Sequence, residues 1–171
     1  MQELIRVAVD AMGGDNAPAE IVKGAVEALK ASTDLKVILV GQEEAVLLVP
    51  PEAVQQELSK YQYDASRMEV VNATEIIEMA EPPVQAIRSK KDSSIVVAMK
   101  LVKNGEADAF VGAGSTGAVL VGGQLIVGRL KGVERPPLAP LLPTEKGASL
   151  LIDCGANVDA RPSHLVQFAK M

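Results

Sequence analysis

Hydrophobic positions along the chain alternate between two periods. The run Leu4-Ile5-Arg6-Val7-Ala8-Val9-Asp10 is short and β-branched, and it stops at Met12-Gly13-Gly14-Asp15-Asn16, a cluster of turn formers. It predicts a strand that enters a loop. Pro18 then suits a first helical turn, Asp15 and Asn16 offer capping oxygens, and Ile21, Val22, Ala25, Val26 and Leu29 recur at helical spacing. The same grammar returns with a buried strand from Leu35 to Val40, then a helical segment that Pro50-Pro51 interrupts before it resumes through Leu58. A third strand is expected near Arg67 to Val71. Pro82-Pro83 opens a helix reaching Arg88, and Ser93-Ser94 caps another with Ile95, Val96, Met99 and Val102 on one face, ended by Gly105. A fourth strand, Ala107 to Gly112, passes through Gly114-Ser115-Thr116-Gly117 into a long apolar helix. A fifth and a sixth strand, near Leu138 to Leu142 and Ala148 to Asp153, flank the turn Thr144 to Gly147, and a last helix starts near Pro162.

Strands and helices in this order predict an α/β fold in three layers, a parallel or mostly parallel sheet with helices on both faces, because parallel neighbours need crossover connections. The whole of 1–171 reads as one such unit, a length that hides roughly 70% of the unfolded chain's surface. In such sheets ligands collect at the carboxyl ends of the strands. That edge should hold Asp10 with Gly13, Gly14 and Asp15, then Gly112 to Gly117, then Asp153 with Gly155 to Asp159. The apolar helical pattern Leu165-Val166-Phe168-Ala169-Met171 runs to the last residue without Gly, Pro or a charged tail, as expected of half of a larger unit.

Composition narrows the chemistry. The apolar fraction of 48% comes from Val, Ala, Leu and Ile, with 2 Phe, 2 Tyr and no Trp, as in parallel strands covered by helices. A net charge of -5 and so few rings are a poor equipment for nucleic acid, which asks for a cationic footprint and stacking platforms. One Cys and one His allow neither an internal disulfide nor a Cys/His zinc cage, so no metal and no cofactor are expected. Glu3 and Asp10 contradict a secretory leader and favour a cytoplasmic protein. Residues 109–128 carry no charge and are long enough to span a bilayer, but their six glycines with Ser115, Thr116 and Gln124 read as strand and turn first.

Candidate chemistry gathers in a few places. Gly112-Ala113-Gly114-Ser115-Thr116-Gly117 joins a strand to a helix, where glycines admit an anion to unpaired amides; without a P-loop Lys or a full dinucleotide fingerprint it implies neither ATP nor NAD. It reads equally as a tight turn whose glycines serve close packing. Arg88-Ser89-Lys90-Lys91-Asp92-Ser93-Ser94 offers three cations for a phosphate or carboxylate, against the plainer reading of a solvated helix end. Asp10, Asp15, Asp153 and Asp159 stand at or beyond strand ends, where they position substrate, bind Mg2+ or cap helices. Cys154 and His164 read first as packing residues.

The blocks Val7 to Pro18, Met79 to Pro83, Ala86 to Ser94, Asp108 to Ala118, Arg135-Pro136-Pro137-Leu138 and Asp153 to Pro162 with Leu165 to Ala169 resemble the bacterial phosphate acyltransferase family. Those enzymes of phospholipid synthesis convert acyl-carrier-protein thioesters and inorganic phosphate into acyl phosphate. The likeness covers their amino-terminal half and implies a fold similar to isocitrate and isopropylmalate dehydrogenases. It also implies a homodimer, acyl carrier protein and phosphate as partners, a downstream glycerol-3-phosphate acyltransferase, and at most peripheral attachment to a membrane. The family favours His at the position of Asn72, Ser at Gly112 and Asn at Ser115. The resemblance implies catalytic roles for Asp10, Arg88, Lys91, Ser115 and Asn157, and substrate binding by Gly13, Gly14, Asp15, Lys90, Gly114, Thr116, Gly117 and Asp153. An inactive domain that only binds a partner, or a nicotinamide-dependent dehydrogenase on a related fold, are the alternatives; the latter would need adenosine contacts that the sequence does not display.

Overall fold

The computed structural model describes residues 4–42 and 64–171. The elements run β1 (Ile5–Asp10), α1 (Ala19–Ala31), β2 (Leu35–Gly41), a 3-10 turn (Ala65–Arg67) leading into β3 (Met68–Asn72), α2 (Pro83–Ser89), α3 (Ser94–Lys103), β4 (Ala109–Val111), α4 (Thr116–Gly122), a π-helical turn (Gly123–Val127), β5 (Leu141–Thr144), β6 (Gly147–Leu150) and α5 (Pro162–Lys170). The helical segment expected around Pro50-Pro51 lies outside the described residues.

Four strands form a parallel sheet in the order β3-β2-β1-β4. Ile5 to Asp10 pair in register with Leu35 to Val40, Val37 to Gly41 with Met68 to Asn72, and Val7 to Val9 with Ala109 to Val111. Strand β2 is apolar on both faces because both are covered. Val37 and Leu39 lie under α1 with Val22, Ala25 and Leu29, while Ile38 and Val40 lie with Ala8 under α3 at Ala98. A third cluster joins α2, α3 and α4 through Ile87, Ile95, Val96, Met99 and Ala118. The three-layer α/β expectation is met for this sheet.

Several expectations need correction. The fifth and sixth strands do not extend the sheet; they form a separate antiparallel hairpin, Leu141 opposite Leu150 through Thr144 opposite Gly147. Glu145-Lys146 alone connect them, and so short a connection permits only antiparallel pairing. The long helix after Gly117 is instead the seven residues of α4 and a π-helical turn that stops at Gly128, whose φ of 103° leaves the helical region. Asp15 and Asn16 do not cap α1, whose N-cap is Pro18 with no side-chain cap bond. Ser93 occupies the N-cap of α3, yet its hydroxyl donates backward to the Lys90 carbonyl at 2.9 Å. No helix among the described residues is long and apolar enough to cross a membrane.

Candidate functional site

The parallel strands all deliver their carboxyl ends to one edge, and Asp10 closes β1 there with only 1% of its surface exposed. Its Oδ1 accepts the Met12 amide at 3.1 Å. Burial pushes the carboxyl pKa up, against the opposing pull of hydrogen bonds from the Ser94 hydroxyl and the Met12 and Gly13 amides. Above this group the two glycine loops meet backbone to backbone. A Cβ on Gly13 would stand 2.4 Å from Asp10 Oδ2 and 2.8 Å from the Gly114 nitrogen, and one on Gly114 would stand 3.1 Å from the Gly13 Cα. Gly14 adopts a φ of 103° beside Ala113. These glycines are required by the close approach of two loops over a buried carboxylate, and the Gly13 amide is engaged with that carboxylate.

Ser115 is the N-cap of α4 and its Oγ accepts the Ala118 amide at 3.3 Å, so the chain turns sharply from the glycine loop into the helix. Thr116 and Gly117 occupy the first turn. Gly117 also packs on α2, since a Cβ there would come within 2.6 Å of Pro83 Cγ. Asp15 is exposed, directly after Gly14 on the first of the two glycine loops.

The basic run divides on inspection. Lys90 pairs with Glu81 and donates to the Ile76 carbonyl at 2.6 Å, and Lys91 donates to the Ile87 carbonyl at 3.2 Å. One ammonium group is thus anchored to the segment before α2 and the other to α2 itself, with Asp92 bound to the Thr74 hydroxyl and amide. The Lys90 contact also holds the Glu81 carboxyl below its usual range. Arg88 is exposed at the end of α2, in a shallow hollow with Pro82, Val84, Gln85 and Ser89.

Asp153 and Asn157 organise the opposite wall. Asp153 Oδ1 accepts the Leu138 amide at 2.7 Å, and Oδ2 accepts the Asn157 amide at 2.8 Å and its side-chain Nδ2 at 3.1 Å. Partial burial acts to raise this carboxyl's pKa, but the donated bonds from Leu138, Asn157 and Ala156 prevail and lower it. Between this wall and α4 runs a groove of about 600 Å³, bordered by Thr116 and Gly117 at one side, by Val119, Leu120, Gly128, Leu130, Val133 and Leu138 along its length, and by Cys154 to Ala156 opposite. Its apolar walls suit a hydrocarbon chain, in a volume usual for small-ligand sites.

A family model described as fatty acid synthesis protein matches residues 5–171. The chain belongs to that family. It is 50% identical over 167 residues to a phosphate acyltransferase of Clostridium beijerinckii, covering 98% of this chain and 48% of that protein. To a phosphate acyltransferase of Desulfitobacterium hafniense strain Y51 the identity is 54% over 168 residues, again 98% of this chain and 47% of the relative. One from Clostridium botulinum strain Alaska E43 is 48% identical over 167 residues, 98% of this chain and 48% of its own. The chain spans about half the length of these family members.

Family membership and geometry together separate the candidate residues into groups. Asp10, Gly13, Gly14, Gly114, Ser115, Thr116 and Gly117 form one continuous set at the sheet edge, with Thr116 and Gly117 shared with the groove. Asp153 and Asn157 do not line that groove but hold the segment whose Cys154 to Ala156 border it. Arg88 stands apart from both, Asp15 is exposed next to Gly14, and Lys90 and Lys91 are engaged elsewhere. The apolar segment after Gly117 was readable as a lining for an acyl chain, with core packing the plainer reading, but the other border of the groove was not legible in sequence. That border comes from turns after Gly128, whose only sequence signal was an uncharged stretch followed by Arg129 and a Pro-Pro pair. His164 was also missed as an organiser: it is buried, takes the Arg161 amide on Nδ1 at 3.1 Å, and therefore presents Nε2–H to Glu134 Oε2 at 3.1 Å. Among the described residues, no group of three or more His, Cys, Asp or Glu side chains is arranged to hold a metal ion.

Proposed function

We propose that this chain supplies the amino-terminal half of an enzyme that moves an acyl group from the thioester of acyl carrier protein to inorganic phosphate, in the synthesis of fatty acids and phospholipids. The observation that carries this reading is an apolar groove whose mouth is the glycine turn of α4, in a chain about half identical over 98% of its length to proteins named phosphate acyltransferase. A phosphate oxygen attacks the thioester carbonyl, a C–O bond forms, and the C–S bond breaks to release the carrier thiolate, which takes up a proton from water. Phosphate is anionic at neutral pH and the thiol it displaces has an ordinary pKa of about 8.5, so the task of the protein is to orient and to stabilise the oxyanion.

In this arrangement the acyl chain lies along Val119, Leu120 and Leu138, and the thioester sits at the Thr116–Gly117 mouth. Ser115 shapes the mouth, Gly13, Gly14 and Gly114 set its floor, and Asp10 beneath them fixes the two loops. Asp153 and Asn157 hold the facing wall. Arg88, exposed and outside the groove, is assigned to the acidic surface of the carrier protein, while Lys90 and Lys91 support the helix that bears it. The second half present in the relatives would complete the cleft. The dimer, the likeness to the dehydrogenase fold, the cytoplasmic setting and the hand-over to a glycerol-3-phosphate acyltransferase belong to the same reading.

The test mixes palmitoyl carrier protein with labelled phosphate and measures acyl phosphate, using this chain and the same chain joined to the second half of the Clostridium beijerinckii relative. Product from the joined protein supports the reading, and none from it refutes the reading. Because this chain corresponds to 48% of that relative, a second reading is kept: carrier protein bound without turnover by the chain alone. Retention of carrier protein together with product from the joined protein would reconcile the two.

A further inference from the structure

The far end of the groove opens into a polar recess of about 480 Å³ bordered by Leu120, Gln124, Arg129, Glu134, Arg135 and Asn157. Its backbone is clamped from both sides. The Glu134 amide donates to Gln167 Oε1 of α5 at 2.8 Å, and Asn157 Nδ2 reaches the Pro136 carbonyl at 3.3 Å. Arg135 lies between these two anchors, yet its guanidinium makes no hydrogen bond or ion pair with any described residue. Arg129 donates one N–H to the Glu134 carbonyl and keeps its others. The one carboxylate on the border, Glu134, is turned to His164 Nε2–H at 3.1 Å. Two planar cations, one carboxylate with its own donor, and a fixed backbone leave an excess of positive charge and several N–H donors facing one volume.

We propose that Arg129 and Arg135 form a binding recess for a phosphate-class oxyanion. Guanidinium forks match tetrahedral oxyanions, and the recess shares Leu120, Gln124, Arg129, Pro136 and Ala156 with the apolar groove. The anion is therefore either free phosphate or the phosphate head of a single-chain amphiphile whose tail lies in the groove. The recess stands on its own geometry and, lying at the end of the groove away from the Thr116–Gly117 mouth, does not depend on where the transferase reading places the thioester.

Isothermal titration of the 171-residue chain with three probes tests this: inorganic phosphate, octyl phosphate and octanol. The variants are Arg135→Gln, Arg135→Lys and, as a control of equal charge change, Lys146→Gln in the exposed β5–β6 turn. Arg135→Gln should weaken the phosphate-bearing probes about tenfold and leave octanol unchanged, Arg135→Lys should restore part of the loss, and Lys146→Gln should match the parent. Octyl phosphate binding more tightly than either inorganic phosphate or octanol assigns the amphiphile head; equal binding of the two phosphates assigns free phosphate. The proposal is overturned if neither phosphate probe binds, if Arg135→Gln equals the parent, or if Lys146→Gln weakens binding as much as Arg135→Gln. Acyl phosphate formed undiminished by the joined protein carrying Arg135→Gln, alongside weakened binding of the phosphate probes, supports a recess separate from the reacting mouth and leaves the transferase reading intact.

Discussion

Asp10 carries a carboxylate that water scarcely reaches, under two loops that have no room for a side chain. Raised pKa and steric closeness describe the same place and predict separate effects. Because the carboxyl titrates higher in the folded chain than its ordinary 3.8, the folded state holds the proton more readily above that pH. Stability from this group is therefore greatest below 3.8, falls as pH rises through the interval up to the folded value, and stays lower beyond it. Asp10→Asn has no such titration, so its stability relative to the parent should increase as pH rises above 3.8, read from urea midpoints. A difference that is flat or falls over that range would contradict the burial argument. Gly13→Ala should cost about 1–3 kcal/mol, because its Cβ would meet Asp10 and the Gly114 backbone, neither of which can give way cheaply. Gly24→Ala, where nothing lies within 4 Å inside α1, should instead raise the melting temperature through helix propensity worth up to about 1 kcal/mol. The sequence announces the glycines in both cases but cannot distinguish them. What one glycine touches and the other does not is decided in part by the Gly114 loop, far away along the chain. The lysines are illegible for the same reason: Lys90 and Lys91 read as free cations until the carbonyls of Ile76 and Ile87 are seen to take them.

At the scale of elements, local patterning is a better guide. The β-branched run of β2 and the spacing of Val22, Ala25 and Leu29 in α1 locate both elements, since each buries the face that its periodicity defines. What fails is the partner. Nothing in the sequence of β5 states that it pairs only with β6, although the connection between them is too short for a parallel neighbour. Long-range joints of single side chains are equally silent. Arg67 is an example: its guanidinium donates to the carbonyls of Ser32 at 2.7 Å, Leu35 at 3.0 Å and Leu29 at 2.8 Å, which seals the carboxyl end of α1 to the start of β2. Arg67→Ala should destabilise the chain by about 2 kcal/mol, since charge-assisted bonds are lost and partly buried carbonyls are left open. Thermal melting measures this, and a change below about 0.5 kcal/mol, the range of a plain surface substitution, would show that water replaces the guanidinium without cost. Asp153 performs the corresponding joint for the groove wall. Its lowered pKa means that the stability it contributes is present above 3.8 and is lost as pH falls through the folded value. Asp153→Ala should free the 153–157 loop above pH 3.8, seen as faster amide exchange at Leu138 and Asn157, with the difference from the parent shrinking as pH falls below that.

Over the whole molecule, cohesion is uneven. The parallel sheet is covered from both sides, whereas every residue of β5 and β6 is exposed, with Leu141 at 70% and Leu150 at 54%. A two-stranded hairpin is marginal in water unless something packs on it, so the chain should open locally there long before its core does. Native-state hydrogen exchange should show the cross-strand amides of β5 and β6 exchanging at rates near those of an unprotected chain. The amides of β1 and β2 should exchange only through global unfolding, slower by several orders of magnitude. In the joined protein built with the second half of a relative, protection of the hairpin should rise if its leucines become part of a shared interface, with β1 and β2 changing much less. Hairpin protection equal to that of β1 in the 171-residue chain would mean that the leucines are already covered, by a second copy of the chain, and a concentration series separates that case because such protection falls on dilution. The groove lies between these two regimes. Its α4 wall belongs to the core cluster through Ala118, and its other wall depends on the Asp153 joint. Ligand binding should therefore slow exchange at Leu138 and Asn157 more than anywhere in the sheet.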